Sequence, residues 1–183
     1  MAVSADNWVT VSSTRVFEIP NRIRIDVETV KLPDGRLVSD YVQVHMSSFV
    51  VVFAETTEAK VICIRQYKHG PRCVSLTLPA GQLEQGEDGV AAARRELMEE
   101  TGFEGRDFRL LGSFAVSGNQ GCGTGQVALA KKCRQVAVPM PDDLEQMKIE
   151  FLSREQLREA LLGGQVAIVS HAAAIGIGLL VAG

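Results

Sequence analysis

Residues 78–103 read LPAGQLEQGEDGVAAARRELMEETGF, with five glutamates and two arginines packed between positions 84 and 100. The part over 86–102 predicts a helix. Asp88 or Glu87 can accept from the first free N–H groups, and Gly102 suits the left-handed residue that stops a helix. At about 100° per residue, Val90, Ala93, Leu97 and Thr101 fall on one side and can face a core. Glu96 and Glu100 are four apart and stack on one face, with Glu99 beside them.

Three like charges so close destabilise an isolated helix by a few tenths of a kcal/mol per pair. A solvated acidic face is the bland explanation for such a run. The other is a cation held among the carboxylates. Magnesium suits that role, because it is a hard ion that takes oxygen ligands and keeps waters for a phosphate substrate. Arg95, four residues before Glu99, can orient a carboxylate. Gly81 permits close backbone approach, which would let the Ala80 carbonyl turn towards the same ion.

The rest of the chain sets bounds. It has 183 residues, 46% hydrophobic and 22% charged, with a net charge of −3, which fits one globular core with room for a small lobe. That balance speaks against a nucleic-acid binder acting through a basic surface. Cys63, Cys73, Cys122 and Cys133 form no CxxC pair, so reduced thiols in a cytoplasmic protein are expected. The first fifteen residues lack a signal-peptide pattern. The apolar stretch 166–183 is short for a membrane span and is interrupted by Ser170 and His171, so it reads as a buried or interface helix.

Alternating residues predict a β-hairpin over 22–45, with the turn at 33–35. Strands are expected over 48–55 and 60–67, an extended piece over 71–79, and further strands over 107–117 and 126–133 around the glycine-rich GNQGCGTG. An acidic loop, PMPDDLEQ, precedes a short strand at 148–153. Ser153 then opens a helix with capping-box spacing to Gln156. The expected fold class is α+β, an α/β/α sandwich in which helices flank one mixed sheet. A lobe is expected over 1–47 and the main domain over 48–183. His45, His69 and His171 show no metal-ligand spacing and read as structural or surface residues.

The spacing from Gly81 through Glu87 to Arg95-Glu96-Leu97, Glu99-Glu100 and Gly102-Phe103 matches G-x5-E-x7-R-E-U-x-E-E-x-G-U, with U apolar, at every fixed position. In this the chain resembles the Nudix hydrolases, which cleave nucleoside diphosphates linked to another moiety. The resemblance implies a Nudix fold and Mg²⁺ as cofactor, with Mn²⁺ as the alternative. It implies Glu96, Glu99 and Glu100 as metal ligands together with the Ala80 carbonyl. Glu87, Arg95 and Glu99 are the implied catalytic organisers that hold this set.

Beyond that box, RQYK at 65–68, LPAG at 78–81 and LPDG at 32–35 resemble the ADP-ribose pyrophosphatase branch. In that branch the N-terminal hairpin swaps between subunits, so a homodimer built on 1–47 is implied. Also implied are Arg65 as a phosphate clamp, Gly81, Ser117 and Gly118 as substrate contacts, and Glu145 as a base or further metal ligand near the last strand. Two positions depart from the branch: Thr77 stands where it has glutamate, and Ser117 where it has proline. The implied reaction is hydrolysis of a nucleoside diphosphate sugar, with ADP-ribose first and GDP-mannose or UDP-glucose as alternatives. A non-catalytic nucleotide-sugar sensor on the same fold is the rival from another class. The complete Glu87, Arg95, Glu96, Glu99 and Glu100 set argues against it.

Overall fold

The computed structural model describes residues 7–139 and 147–181. The chain divides into two compact units, Met1–Ser47 with Ala115–Thr124, and Ser48–Phe114 with Gly125–Gly183.

The first unit is an antiparallel meander of β1 (Val9–Ile19), β2 (Ile23–Lys31) and β3 (Leu37–Met46). The hairpin expected over 22–45 is β2 and β3. The strand before it was not anticipated, because V-T-V-S-S-T-R-V lacks a clean apolar face, and every residue of β1 is exposed. From the 115–124 segment, Gly121 pairs with Val44 in parallel register, and the Val44 N–H donates to the Gln120 carbonyl at 2.8 Å.

The second unit carries β4 (Phe49–Thr56), β5 (Val61–Lys68), β6 (Cys73–Thr77), β7 (Ala80–Gln82), α1 (Gly89–Thr101), β8 (Phe103–Glu104), most of β9 (Asp107–Ser117) and β10 (Gly121–Gln135), β11 (Lys148–Leu152), α2 (Arg154–Leu162) and α3 (Val169–Val181). Its sheet is mixed. β4 runs parallel to β10 and antiparallel to β5 and β7, and β5 pairs antiparallel with β6 and β11. V-V-V-F-A and V-I-C-I are unbroken apolar runs, as expected for strands covered on both faces. Val51, Phe53, Val61 and Cys63 pack with Leu157, Ala160, Ala174 and Ile175 of α2 and α3. Val50, Val52, Ala54 and Ile62 pack with Ala92, Ala93 and Leu97 of α1. The result is the expected α/β/α arrangement, with α1, among the described residues, the helix on one face and α2 and α3 on the other. Each fully buried Val, Leu, Ile or Phe side chain among these contributes roughly 1.5–3 kcal/mol.

The helix ends follow from local chemistry. Asp88 Oδ1 accepts from the Val90 and Ala91 N–H groups at 2.9 Å each. Gly102, at φ 72°, ends α1 and donates to the Met98 carbonyl. Ser153 and Gln156 form the expected capping box. The buried face of α1 is Ala92, Ala93, Glu96, Leu97 and Thr101, while Val90 is only half-buried. No helix of the described residues is long and apolar enough to cross a membrane, and the apolar C-terminal stretch forms the 13-residue α3. All four cysteines are free thiols, and burial pushes those of Cys63 and Cys133 up to about 12.

Candidate functional site

The site is built where the loop after β6 crosses the side of α1. Residues 78–82 leave β6, turn at Pro79 and pair briefly with β4, Ala80 opposite Val51 and Gly81 opposite Val50. The Pro79 carbonyl accepts from the Val52 N–H at 2.8 Å, which fixes the loop to the sheet. The Ala80 N–H donates to Glu100 Oε2 at 2.9 Å, and the Gln82 carbonyl accepts from Arg95 Nη2 at 2.9 Å. Loop and helix are thus joined by two hydrogen bonds to ionised side chains, a class roughly twice as strong as neutral pairs.

Arg95 is the centre of the charge network. Its Nε and Nη2 form a fork on Glu87, at 3.1 and 2.9 Å. Its Nη1 donates to Glu96 Oε1 at 2.6 Å and to Glu99 Oε2 at 3.2 Å. Glu87 also accepts from the Glu84 N–H at 2.9 Å. The Arg95 hydrogen bonds hold the Glu87 carboxyl below the usual carboxylate range, and Glu87 in turn raises the Arg95 guanidinium above its ordinary value. Glu96 moves the other way. Burial pushes its carboxyl up, and Arg95 only partly opposes this.

Gly81 is required by space. A β-carbon there would lie 2.0 Å from the carboxyl carbon of Glu96 and 2.0 Å from Oε1. The glycine therefore leaves the gap that the Glu96 carboxylate fills.

Four of the expected residues, Glu87, Arg95, Glu96 and Glu99, form one connected set, and Glu100 reaches the loop through Ala80. Among the described residues, no three His, Cys, Asp or Glu side chains converge as a cation cluster, and Arg95 bridges Glu96 and Glu99. The donor chemistry still fits a hard divalent cation. Glu96, Glu99 and Glu100 offer carboxylate oxygens only, and the absence of a β-carbon on Gly81 makes room for the Glu96 carboxylate itself. These three, with the Ala80 carbonyl, are the groups that would hold it.

Arg65, on β5, forks onto Glu150 of β11 through Nε and Nη2 at 3.0 Å each, and Nη2 also reaches Gln165 Oε1 at 3.0 Å. Along β5 it shares the side of Val61 and Cys63, which carries α2 and α3, and not that of Ile62, which faces α1. Ser117 and Gly118 belong to the first unit, where Ser117 Oγ bonds the Gln120 side chain at 2.7 Å and accepts from its N–H at 3.1 Å. Glu145 and most of the acidic loop lie outside the described residues. Thr77 spans β6 and β5, donating to the Ile64 carbonyl at 2.9 Å and accepting from Gln66 Nε2 at 3.1 Å.

One contact of the loop went unread in the sequence. His171, on α3, is buried, and its Nδ1 accepts from the Leu78 N–H at 3.1 Å. The other histidines are placed plainly: His45 meets Asp26 at 3.0 Å, and His69 meets the Tyr67 hydroxyl at 3.4 Å. A single histidine in an apolar run, far along the chain from its partner, carries no spacing signal.

The sequence profile of the NUDIX domain matches residues 44–169, more than half of the chain. The chain is 35% identical over 108 residues to the methanol dehydrogenase activator of Bacillus methanolicus, which covers 59% of this chain and 57% of that protein. It is 32% identical over 108 residues to the ADP-ribose pyrophosphatase of Bacillus subtilis (strain 168), with the same two shares of 59% and 57%. Identity to the ADP-sugar pyrophosphatase of Mus musculus is 34% over 104 residues, 56% of this chain and 45% of that one. The chain thus spans roughly half the length of the curated relatives it matches. A solved structure, the crystal structure of an ADP compounds hydrolase, shares the fold with a TM-score of 0.79 over 96% of this chain and 94% of that chain, at 17% identity.

Proposed function

The chain belongs to the NUDIX domain family, and from that premise we propose that it hydrolyses the pyrophosphate bond of a nucleoside diphosphate sugar, foremost ADP-ribose, to AMP and ribose 5-phosphate. The observation that carries this reading is the connected set on α1. Glu87, Glu96 and Glu99 share the one guanidinium of Arg95, and Glu100 holds the Ala80 N–H of the glycine loop. A sensor that only bound its ligand would not need this set complete. Two of the matched relatives are pyrophosphatases of ADP-ribose and of ADP-sugars, which favours the adenine substrates.

Mg²⁺, or Mn²⁺ in its place, would neutralise the pyrophosphate and lower the pKa of a bound water. Glu96, Glu99 and Glu100 with the Ala80 carbonyl would hold it. Arg95, gripped by Glu87, orients Glu96 and Glu99, and Gly81 leaves room for the Glu96 carboxylate. Glu145 is assigned the proton of the attacking water, a task for a carboxylate within one hydrogen bond of it. Ser117 and Gly118 are assigned to the sugar or base.

The same reading includes a cytoplasmic homodimer. Val11, Val16 and Phe17 of β1, with Trp8 just before it, are about half exposed, a natural surface for a second copy. Light scattering on a size-exclusion column should return twice the chain mass, and a monomer at micromolar concentration would remove this part.

The function itself is tested by incubating the protein with Mg²⁺ and ADP-ribose, ADP-glucose, GDP-mannose, UDP-glucose or NADH, and resolving the nucleotides released. AMP from ADP-ribose is the expected result. Silence across the panel from folded protein would overturn it.

A further inference from the structure

The loop that carries Ala80 and Gly81 touches three layers. The sheet holds it through Val52 and the Pro79 carbonyl, and α1 holds it through Glu100 and Arg95. The third contact comes from the opposite face. Leu78 is the first residue beyond β6, so its N–H has left the strand ladder, and it is buried. An unpaired buried N–H is costly, and here the partner is a side chain, His171 Nδ1, 93 residues further along the chain.

His171 is itself buried on the inner side of α3, one turn before Ala174 and Ile175, both fully buried. A leucine would fill that space without burying a polar ring. Acceptance at Nδ1 places the ring proton on Nε2, so the imidazole serves the loop in its neutral form.

We propose that His171 is a positioning residue for the candidate site: by accepting the Leu78 N–H, it sets the depth of the 78–82 loop, and so places the Ala80 N–H on Glu100 and the Gly81 gap on Glu96. The layer of α3 thereby governs carboxylates on the far side of the sheet. The assignment rests on the pyrophosphatase reading for its catalytic consequence, but its structural half can be read without activity.

Three variants of the full chain separate the possibilities. In His171→Asn, Oδ1 sits where Nδ1 was, on the same Cγ. In His171→Gln the acceptor is one methylene further out. In His171→Leu it is gone. Amide exchange of Leu78 and Ala80, followed by NMR without added metal, reports the loop. Turnover of ADP-ribose with Mg²⁺, split into kcat and KM, reports the consequence.

The expected result is that His171→Asn resembles the parent in both readouts. His171→Gln and His171→Leu should speed exchange at Leu78 and also at Ala80 by about tenfold or more. Their kcat should fall on the order of tenfold to a hundredfold, with KM little changed. Faster exchange confined to Leu78, or equal kcat in the Asn and Gln variants, would overturn the proposal, and that pair decides it even if the Leu variant does not fold. If the parent is inert on every substrate while Ala80 still responds to His171, the pyrophosphatase reading fails and the positioning role stands.

Discussion

A β-carbon on Gly81 would fall 2.0 Å from the carboxyl carbon of Glu96, a distance that non-bonded carbons do not sustain. The colliding group is the end of a flexible side chain, so the backbone need not move. Gly81→Ala should therefore fold with a melting temperature near the parent's. Glu96 would be turned out of its place beside Arg95, and kcat should fall on the order of a hundredfold. A variant as active as the parent would show that the room Gly81 leaves for Glu96 has no catalytic purpose.

Arg95 should not be replaceable by lysine. Its fork on Glu87 and its reach to Glu96, Glu99 and the Gln82 carbonyl use the planar guanidinium, and an ammonium can satisfy only part of that geometry. Arg95→Lys should lower kcat by roughly tenfold to a hundredfold, the usual range for a group that orients metal ligands. Glu87→Gln should act in the same direction. Steady-state assays at saturating substrate check both, and unchanged kcat in Arg95→Lys would separate the fork from catalysis.

Glu100→Gln keeps an acceptor oxygen for the Ala80 N–H but removes the charge. The loop should stay in place, seen as unchanged amide exchange at Ala80, while hydrolysis of ADP-ribose is nearly abolished. Turnover at the parent's rate would remove Glu100 from the set of metal-holding groups.

The parts of the molecule legible in the sequence were those with local periodicity or fixed spacing. The Asp88 and Gly102 caps, the Ser153 capping box and the carboxylate faces of α1 all follow from neighbours within one or two turns. The strand β1 escaped because each of its residues is exposed, so it carries no alternation to read. The partner of Arg65 escaped for another reason. Glu150 lies 85 residues away, and only the pairing of Lys148 with Arg65 across β11 and β5 brings it near. His171 is of the same kind: a contact created by the packing of α3, invisible to spacing.

For Arg65, the prediction separates a clamp from a strut. Its side chain is 30% exposed and that of Glu150 17%, with Arg65 holding the Glu150 carboxyl below its usual range. Arg65→Ala and Glu150→Gln should both lower stability, by about 2 kcal/mol when the partner is left half-buried. KM for ADP-ribose should be unaltered in Glu150→Gln and in Arg65→Ala alike. A rise in KM confined to Arg65→Ala would restore the phosphate contact implied by the resemblance.

His171 gives the stability a pH dependence whose sign can be worked out. Burial, with a smaller contribution from the charge of Lys68, lowers its pKa from 6.5 to about 4. Between those values the unfolded chain binds a proton on this ring and the folded chain does not. Unfolding is therefore favoured as pH falls through 6.5, the penalty grows until about 4, and above 6.5 it is absent. Glu96, with its carboxyl raised by burial, contributes in the opposite sense, so the parent curve alone mixes the two. The difference between parent and His171→Asn isolates the ring, since asparagine accepts the Leu78 N–H without titrating. The melting temperature of the parent should drop relative to the Asn variant as pH goes from 7 to 4, by an amount that reflects on the order of 3 kcal/mol at the acid end. A constant difference across that range would mean that the ring is as easily protonated in the fold as in the open chain, and that the Leu78 hydrogen bond does not depend on a neutral imidazole.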